Sequence, residues 1–290
     1  MYSVIYALLK LYVPLSLGLI YGLITKPDER ESKVISSIVI NILFPFLLFA
    51  SIYGQALGQG SLLTLTAVAS VVVTAFVFYL ATKKPEYTLV AMKPNAGYLP
   101  IPIAYSVWGA EGVTYVAFYM LGSVTTSNVL APLLIREPLK KSLRRLMKFP
   151  PLYAILAALL ATAFSLQIPE DAVRLASEVG EAAPILAILL LGIDFSREMK
   201  FNPKDLSIYF SRVAISLTLT AIVATVYRIS SVPLYVLLLE ALSSPAISNV
   251  ALANELGMDA KEVARIVMGL TIFVSIVVLP VLLTVLQVIS

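Results

Sequence analysis

Apolar residues in this chain fall in blocks of about twenty, the length at which a helix crosses the ~30 Å hydrocarbon core of a bilayer. The blocks run at approximately 4–24, 34–54, 61–81, 87–108, 112–135, 149–168, 173–194, 205–227, 232–254 and 262–287, parted by short charged or Pro/Gly-rich breaks. Only 13% of the residues are charged, against roughly 25% in a soluble domain, and the mean hydropathy is +0.93. The pattern predicts an all-α polytopic membrane protein with ten transmembrane helices. No connection is long enough to fold as a soluble domain; the longest reads "REPLKKSLRRLMK", residues 136–148. The first block starts close to Met1 without a small-residue cleavage pattern, so it is expected to remain as a helix rather than leave as a signal peptide.

The net charge of +4 is better explained by loops than by nucleic acid, which is not an expected partner. Lys26, Arg30 and Lys33 follow the first block and Lys83 and Lys84 the third. Arg136, Lys140, Lys141, Arg144, Arg145 and Lys148 follow the fifth, Arg197, Lys200 and Lys204 the seventh, and Lys261 and Arg265 the ninth. The opposite side has Lys10, Arg174 and Arg228 at most. Basic loops stay in the cytoplasm, so both termini are expected outside the cell membrane, with the lipid bilayer as the surrounding partner.

The chain has neither cysteine nor histidine. Disulfides, thiolate nucleophiles and Cys-based metal sites are excluded, with the usual proton shuttle and the commonest metal ligand. An intramembrane enzyme fits poorly, because Asp194 stands only at the end of a block and no paired-aspartate or Ser–His arrangement is available. No cofactor or metal is expected; Na⁺ or H⁺ would enter only as a coupling ion.

Ten spans divide into two fives. "YVPLSLGLIYG" in the first block is echoed by "FPPLYAILAAL" in the sixth, and "NILFPFLLFAS" in the second by "GEAAPILAILLLG" in the seventh. Gly109 and Gly257 are 148 residues apart, as are Pro132 and Pro280. Residues 1–135 and 149–290 then form two repeats around the basic 136–148 loop. An odd number of spans in each gives them opposite topology, an inverted repeat. The same offset sets Asn95 on Ser243.

Both of those positions lie in spoiled blocks. "LVAMKPNAGYLPIPIAYSVWG", residues 89–109, holds Lys93, Asn95, Gly97, Pro94, Pro100 and Pro102; its partner is "LEALSSPAISNVALANELG". A proline within a helix removes one hydrogen bond and crowds the preceding turn. The freed backbone groups are tolerated at membrane depth only inside protein or along a wet cavity. Two facing breaks would offer half-helix N-termini to an anion and free carbonyls to a cation or donor, the general design of substrate sites in inverted-repeat transporters. Pro14, Pro45, Pro132, Pro184 and Pro280 are isolated and are read as ordinary kinks.

"KPNAGYLPIPIAYSVWG", followed by "ALSSPAISNVALANELGMDAKEVARIVMGLTIFVSIVVLPVLLTVL", resembles the auxin efflux carrier family, which includes the plant PIN-FORMED auxin exporters and their bacterial and archaeal relatives. "NILFPFLLFAS" and the "ELGMD" after the ninth block fit as well. The resemblance implies a fold like that of bile acid/sodium symporters, with spans 1, 2, 6 and 7 as scaffold and spans 3–5 and 8–10 as a transport domain moving like an elevator. It places Asn95 at the family's substrate-binding asparagine and Pro102 at the crossover proline of span 4. Plant carriers have a proline near the position of Asn249, whereas here Pro245 comes earlier. The long cytoplasmic loop of many plant members is absent.

Substrate-binding candidates are therefore Asn95, Gly97, Tyr98, Pro100, Pro102, Ser243, Ser244, Pro245, Ser248 and Asn249, with Asn41 of "NILFPFLLFAS" and Lys93. Asn95 either donates its amide to a carboxylate or bridges spans 4 and 9. The serines and Asn249 add donors or cap half-helices. Lys93 either draws in an anion or pairs with Glu240 or Glu181. Glu240 is the best candidate for a titrating carboxyl. Ser123, Thr125, Thr126, Ser127 and Asn128 of "GSVTTSN", with Thr271 and Ser275, either hold an ion or join helix to helix. The expected function is secondary transport of a small organic anion, an auxin-like acid or a dicarboxylate such as malate or malonate. The alternatives are a sodium-coupled carrier of the bile-acid-symporter type and, from another class, a channel or receptor. A homodimer through the scaffold helices is also expected.

Overall fold

Runs of Leu, Ile, Val and Ala leave the backbone no polar side chains to bond with, so in apolar surroundings it closes its own i→i−4 bonds as helix. The computed structural model describes residues 2–55, 57–135, 139–196 and 201–289; Arg136, Arg197 and Lys200 of the basic loops lie outside the described residues. In chain order the helices are α1 (Tyr2–Thr25), α2 (Glu29–Ile38), α3 (Phe44–Ile52), α4 (Gly60–Thr82), α5 (Pro85–Met92), α6 (Pro100–Leu133), α7 (Leu139–Leu146) and α8 (Pro150–Ala163). They continue with α9 (Glu170–Gly180), α10 (Ala182–Phe195), α11 (Leu206–Tyr227), α12 (Ser231–Ala241), α13 (Ser248–Glu255), α14 (Ala260–Phe273) and α15 (Leu279–Ile289). Among the described residues the one β pairing is a single bridge.

The fold is an all-α polytopic membrane architecture. Among the described residues seven helical stretches are long and apolar enough to cross a bilayer: Leu8–Thr25, Arg30–Ile52, Gly60–Thr82, Pro100–Leu133, Glu170–Phe195, Pro203–Tyr227 and Ala260–Val285. Pro150–Ala163 and Ser231–Ala241 are apolar but shorter. The ten blocks thus do not become ten unbroken rods. The fourth, 87–108, is interrupted after Met92, and its second half is parted from the fifth at Gly109, whose φ of 60 and ψ of −144 are not helical. Gly257 likewise has φ 67. Both values lie where a β-carbon is strained, which is why glycine stands at each bend.

Two of the prolines read as kinks have a defined geometry. Pro45 and Pro280 each follow a five-residue π-helical segment, Val39–Leu43 and Val274–Val278, closed by the amides of Phe44 and Leu279 on the carbonyls of Val39 and Val274. A proline lacks the N–H that would hold the normal ladder, and the wider π turn absorbs the mismatch. Pro14 and Pro132 sit inside α1 and α6 without such a segment.

The chain divides into two compact units. One comprises Met1–Gly58, Ile101–Ala117 and Lys148–Glu198. Its central contact is between α1 and α10, where a methyl on Gly18 would collide with the Leu189 carbonyl and one on Gly192 with the Leu15 carbonyl. Small residues let helix backbones approach in this way in membranes, where the hydrophobic effect does not drive helix association. Thr114 donates to the Ser51 carbonyl (2.7 Å), and the Tyr53 hydroxyl joins the Leu166 carbonyl (2.7 Å) and the Ile168 amide (3.0 Å).

The other unit comprises Gln59–Pro100, Phe118–Met147 and Met199–Ser290. Its interior is unusually polar for an apolar chain, with Thr66, Ser70, Thr74, Arg212, Ser216, Thr220 and Glu240 all buried. Ser70 on α4 and Ser216 on α11 share a hydrogen bond of 2.8 Å. Arg265 of α14 pairs with Asp205 at 2.5 Å. Leu65, Phe76, Leu80, Phe210, Ile222 and Val226 are exposed along α4 and α11, the arrangement of helices that turn polar groups inward and apolar ones to lipid.

Candidate functional site

The second unit contains two interrupted helices. α5 stops at Met92 because Pro94 cannot supply the next ladder amide and disfavours helical backbone at Lys93, whose φ and ψ are −109 and 87. Helix resumes at Pro100, where a missing N–H costs nothing in the first turn. α12 stops at Ala241 before "LSSPAI", and α13 begins at Ser248.

The two irregular segments are tied to each other. Pro94 and Pro245 form an antiparallel bridge. The Asn95 amide donates to the Ser244 carbonyl (2.8 Å), and the Ala246 amide to the Lys93 carbonyl (3.1 Å). Asn249 adds its side-chain Nδ2 to the same Lys93 carbonyl (3.1 Å). Orphaned backbone groups of one break are thus satisfied by the other.

Several side chains at this junction have polar atoms left over. Asn95 accepts a long bond from the Leu99 amide on Oδ1 (3.4 Å), while its Nδ2 has no partner among the described residues. Asn249 Oδ1, Ser244 Oγ and both carboxyl oxygens of Glu240 are also buried and without partners there. Asn95 is 4% exposed, and Asn249, Ser244 and Glu240 are fully buried. Buried polar atoms normally find partners, and an unexplained cluster of exceptions points to a missing ion, water or ligand. Lys93 is 6% exposed. Neither acid expected to pair with it does so: the Glu240 oxygens are without partners, and Glu181 accepts from Ser177 (3.3 Å). Its ammonium takes no acceptor among the described residues.

The remaining candidates are scattered by comparison. Gly97 and Tyr98 are half-buried within the first break, and Pro100 and Pro102 are buried in the first turn of α6. Pro245 and Ser243 are buried in the second break, whereas Ser248 is exposed at the start of α13. Asn41 is exposed in the first π segment and donates to Ser37 (3.0 Å). Ser127 and Asn128 bond back to the Val124 carbonyl (3.4 and 2.9 Å), and Thr271 to the Val267 carbonyl (2.7 Å). Ser123 and Ser275 are buried, and Thr125 and Thr126 half-buried.

Sequence reasoning passed over Arg212 and Tyr209. Arg212, 3% exposed, donates to the carbonyls of Ser243 and Glu240 (the latter at 2.9 Å) and to Ser243 Oγ (3.3 Å). The Tyr209 hydroxyl donates to the Leu242 carbonyl (2.8 Å). The signal was present: a lone arginine inside the apolar run "IYFSRVAISL" is a functional-site indication by default.

The fold and this junction define a multi-pass helical membrane protein with irregular, polar backbone in its interior. No family model matches the chain. It is similar over 288 residues, at 26% identity, to a protein of Methanothermobacter thermautotrophicus named an uncharacterized transporter, covering 94% of this chain and 95% of that one. A protein of Methanocaldococcus jannaschii, also named an uncharacterized transporter, is 26% identical over 205 residues, 63% of this chain and 65% of its own length. Architecture and relatives together support a membrane transporter.

Proposed function

We propose that this chain is a secondary transporter of a small organic anion, with the junction of the two broken helices as its binding site. The observation that carries the proposal is the Nδ2 of buried Asn95, without a partner among the described residues and held on irregular backbone beside the buried, positively charged Lys93. A donor amide and a positive charge suit a carboxylate, and Asn249 Oδ1 and Ser244 Oγ are available to the rest of the molecule.

Further features support the finer parts of this reading. The sequence motifs around Asn95 and Asn249 resemble auxin efflux carriers. Glycines with positive φ stand 148 residues apart, and α4 and α11 both end on left-handed residues, Lys83 and Arg228; both parallels favour an inverted repeat. One compact unit takes in α4, α5, α11–α15 and the later part of α6, and the other α1–α3, α8–α10 and residues 101–117; except for 101–117, this follows the scaffold and transport domains of an elevator. The basic loops favour both termini outside.

The test is a melting screen of the purified chain with organic acids, auxin-like and dicarboxylic, each with and without sodium. A true substrate raises the melting temperature by mass action. The Asn95→Ala variant should melt like the parent and lose the response. A variant that still binds the same acid with equal affinity would remove the junction from consideration. A conductance far above any carrier's turnover in a planar bilayer would favour a channel instead.

A further inference from the structure

An interrupted membrane helix leaves carbonyls without partners at the C-terminal end of its first half, where the helix dipole is negative. In carriers of this general design such a place takes the coupling cation. In the second break the chain has put a charge of its own there. α12 ends at Ala241, and the carbonyls of Glu240 and Ser243 both accept from the guanidinium of Arg212 on α11, the first at 2.9 Å and in addition to the Ser243 amide (3.2 Å). Ser243 Oγ also accepts from it (3.3 Å) while donating to the Glu240 carbonyl (2.9 Å). One turn earlier on α11, Tyr209 takes the Leu242 carbonyl. The carboxyl of Glu240 itself is buried, with neither oxygen partnered among the described residues. Two carbonyls and a hydroxyl are hard oxygen donors of the kind that surround a sodium or calcium ion.

We propose that Arg212 is a built-in cation: it fills the oxygen cage at the end of α12 in the place of a bound sodium ion and so keeps the second break in shape with no added ion there. Taken with the junction as a carrier's binding site, this makes Arg212 a positioning residue that organises Ser244 and Asn249 without touching the anion. The guanidinium suits the task because it is always charged, weakly hydrated and able to donate in several directions in one plane. Substrate binding is then indifferent to sodium at this position. Removing the side chain should open the cage and convert an ion-independent site into one that responds to cations.

The experiment uses the full chain in detergent micelles with choline chloride as the background salt. Melting temperatures are measured for the parent, Arg212→Ala and Arg212→Lys, with sodium chloride or guanidinium at a non-denaturing concentration, and with no organic acid present. Neither cation should raise the melting temperature of the parent. Arg212→Ala should melt lower and regain part of the loss with guanidinium or sodium; Arg212→Lys, which carries a charge to the same oxygens, should stay near the parent. An alanine variant that responds to neither cation, or a parent stabilised by sodium as strongly as the variant, overturns the proposal. Where the alanine variant yields no folded protein, the lysine variant decides: a loss equal to that of alanine overturns the idea, and retention upholds it. Because the readout needs no substrate, failure of every organic acid to bind would count against the carrier and leave the cation result standing.

Discussion

The two interruptions face the same physical problem, carbonyls and amides released by a broken helix, and meet it in opposite ways. The first break, between Met92 and Pro100, has its Lys93 carbonyl satisfied from the second break by Ala246 and Asn249, and its own side chains Lys93 and Asn95 keep polar atoms in reserve. The second break, between Ala241 and Ser248, is braced from outside by Arg212 and Tyr209 of α11. The backbone of the second segment is thus braced by α11, while Asn95 of the first and Ser244 of the second keep polar atoms without partners among the described residues. A site that must release what it binds needs both, a rigid frame and donors not already committed. Substitutions that separate frame from donor test the contrast directly.

The largest effect is expected at the brace. Arg212→Met removes three charge-assisted bonds at once and leaves the buried Ser243 carbonyl without its donor, a cost of about 3 kcal/mol or more. Chemical or thermal unfolding in micelles should show it, and a melting temperature unchanged from the parent would mean that the second break does not depend on α11. Next comes Asn249→Ala, which deletes the bond to the Lys93 carbonyl and should cost about 1–2 kcal/mol in the same measurement, together with lost affinity for the anion. Tyr209→Phe removes a single hydrogen bond to the Leu242 carbonyl and should cost about 1 kcal/mol, with affinity little changed.

Asn95→Ala sharpens the comparison from the other side. Among the described residues its one side-chain bond is the long one from the Leu99 amide, so its loss should alter stability by no more than about 0.5 kcal/mol. Binding of the anion should nonetheless weaken on the order of tenfold or more, because a donor to a charged group is worth about 1.5–3 kcal/mol. Equal losses of stability and affinity would show that Asn95 belongs to the frame.

How much of this was legible in the sequence follows from the range of each interaction. Prolines act on their own helix, so the interruptions after Met92 and Ala241 could be read from "KPNAGYLPIP" and "SSPAISN". Glycine at 109 and at 257 is equally local, since positive φ excludes most other residues. The boundary between blocks four and five likewise falls at Gly109, where the backbone leaves helical geometry, whereas hydropathy alone carries no information on the length of each rod on either side of a break. The choice for Lys93 between an anion and a partner acid was not legible, because pairing depends on tertiary placement, which here brings Glu240 to Arg212. Arg212 itself escaped notice because one charge barely lowers the average of a twenty-residue window, although it is the charge such a window can least explain.

The smallest effect is expected at Ser248, four residues from Ser244 and in the same motif. Ser244 is fully buried with a vacant hydroxyl, whereas Ser248 is exposed and caps nothing, Ile247 being the residue before α13 and offering no side-chain bond. Ser248→Ala should therefore shift stability by less than about 0.5 kcal/mol and leave anion affinity alone, while Ser244→Ala leaves stability similarly unmoved but lowers affinity. Titration of both variants with the same acid checks the pair. A loss confined to Ser248→Ala would place the ligand on the exposed side of α13 and away from the buried junction, since sequence spacing alone cannot distinguish the two hydroxyls and burial does.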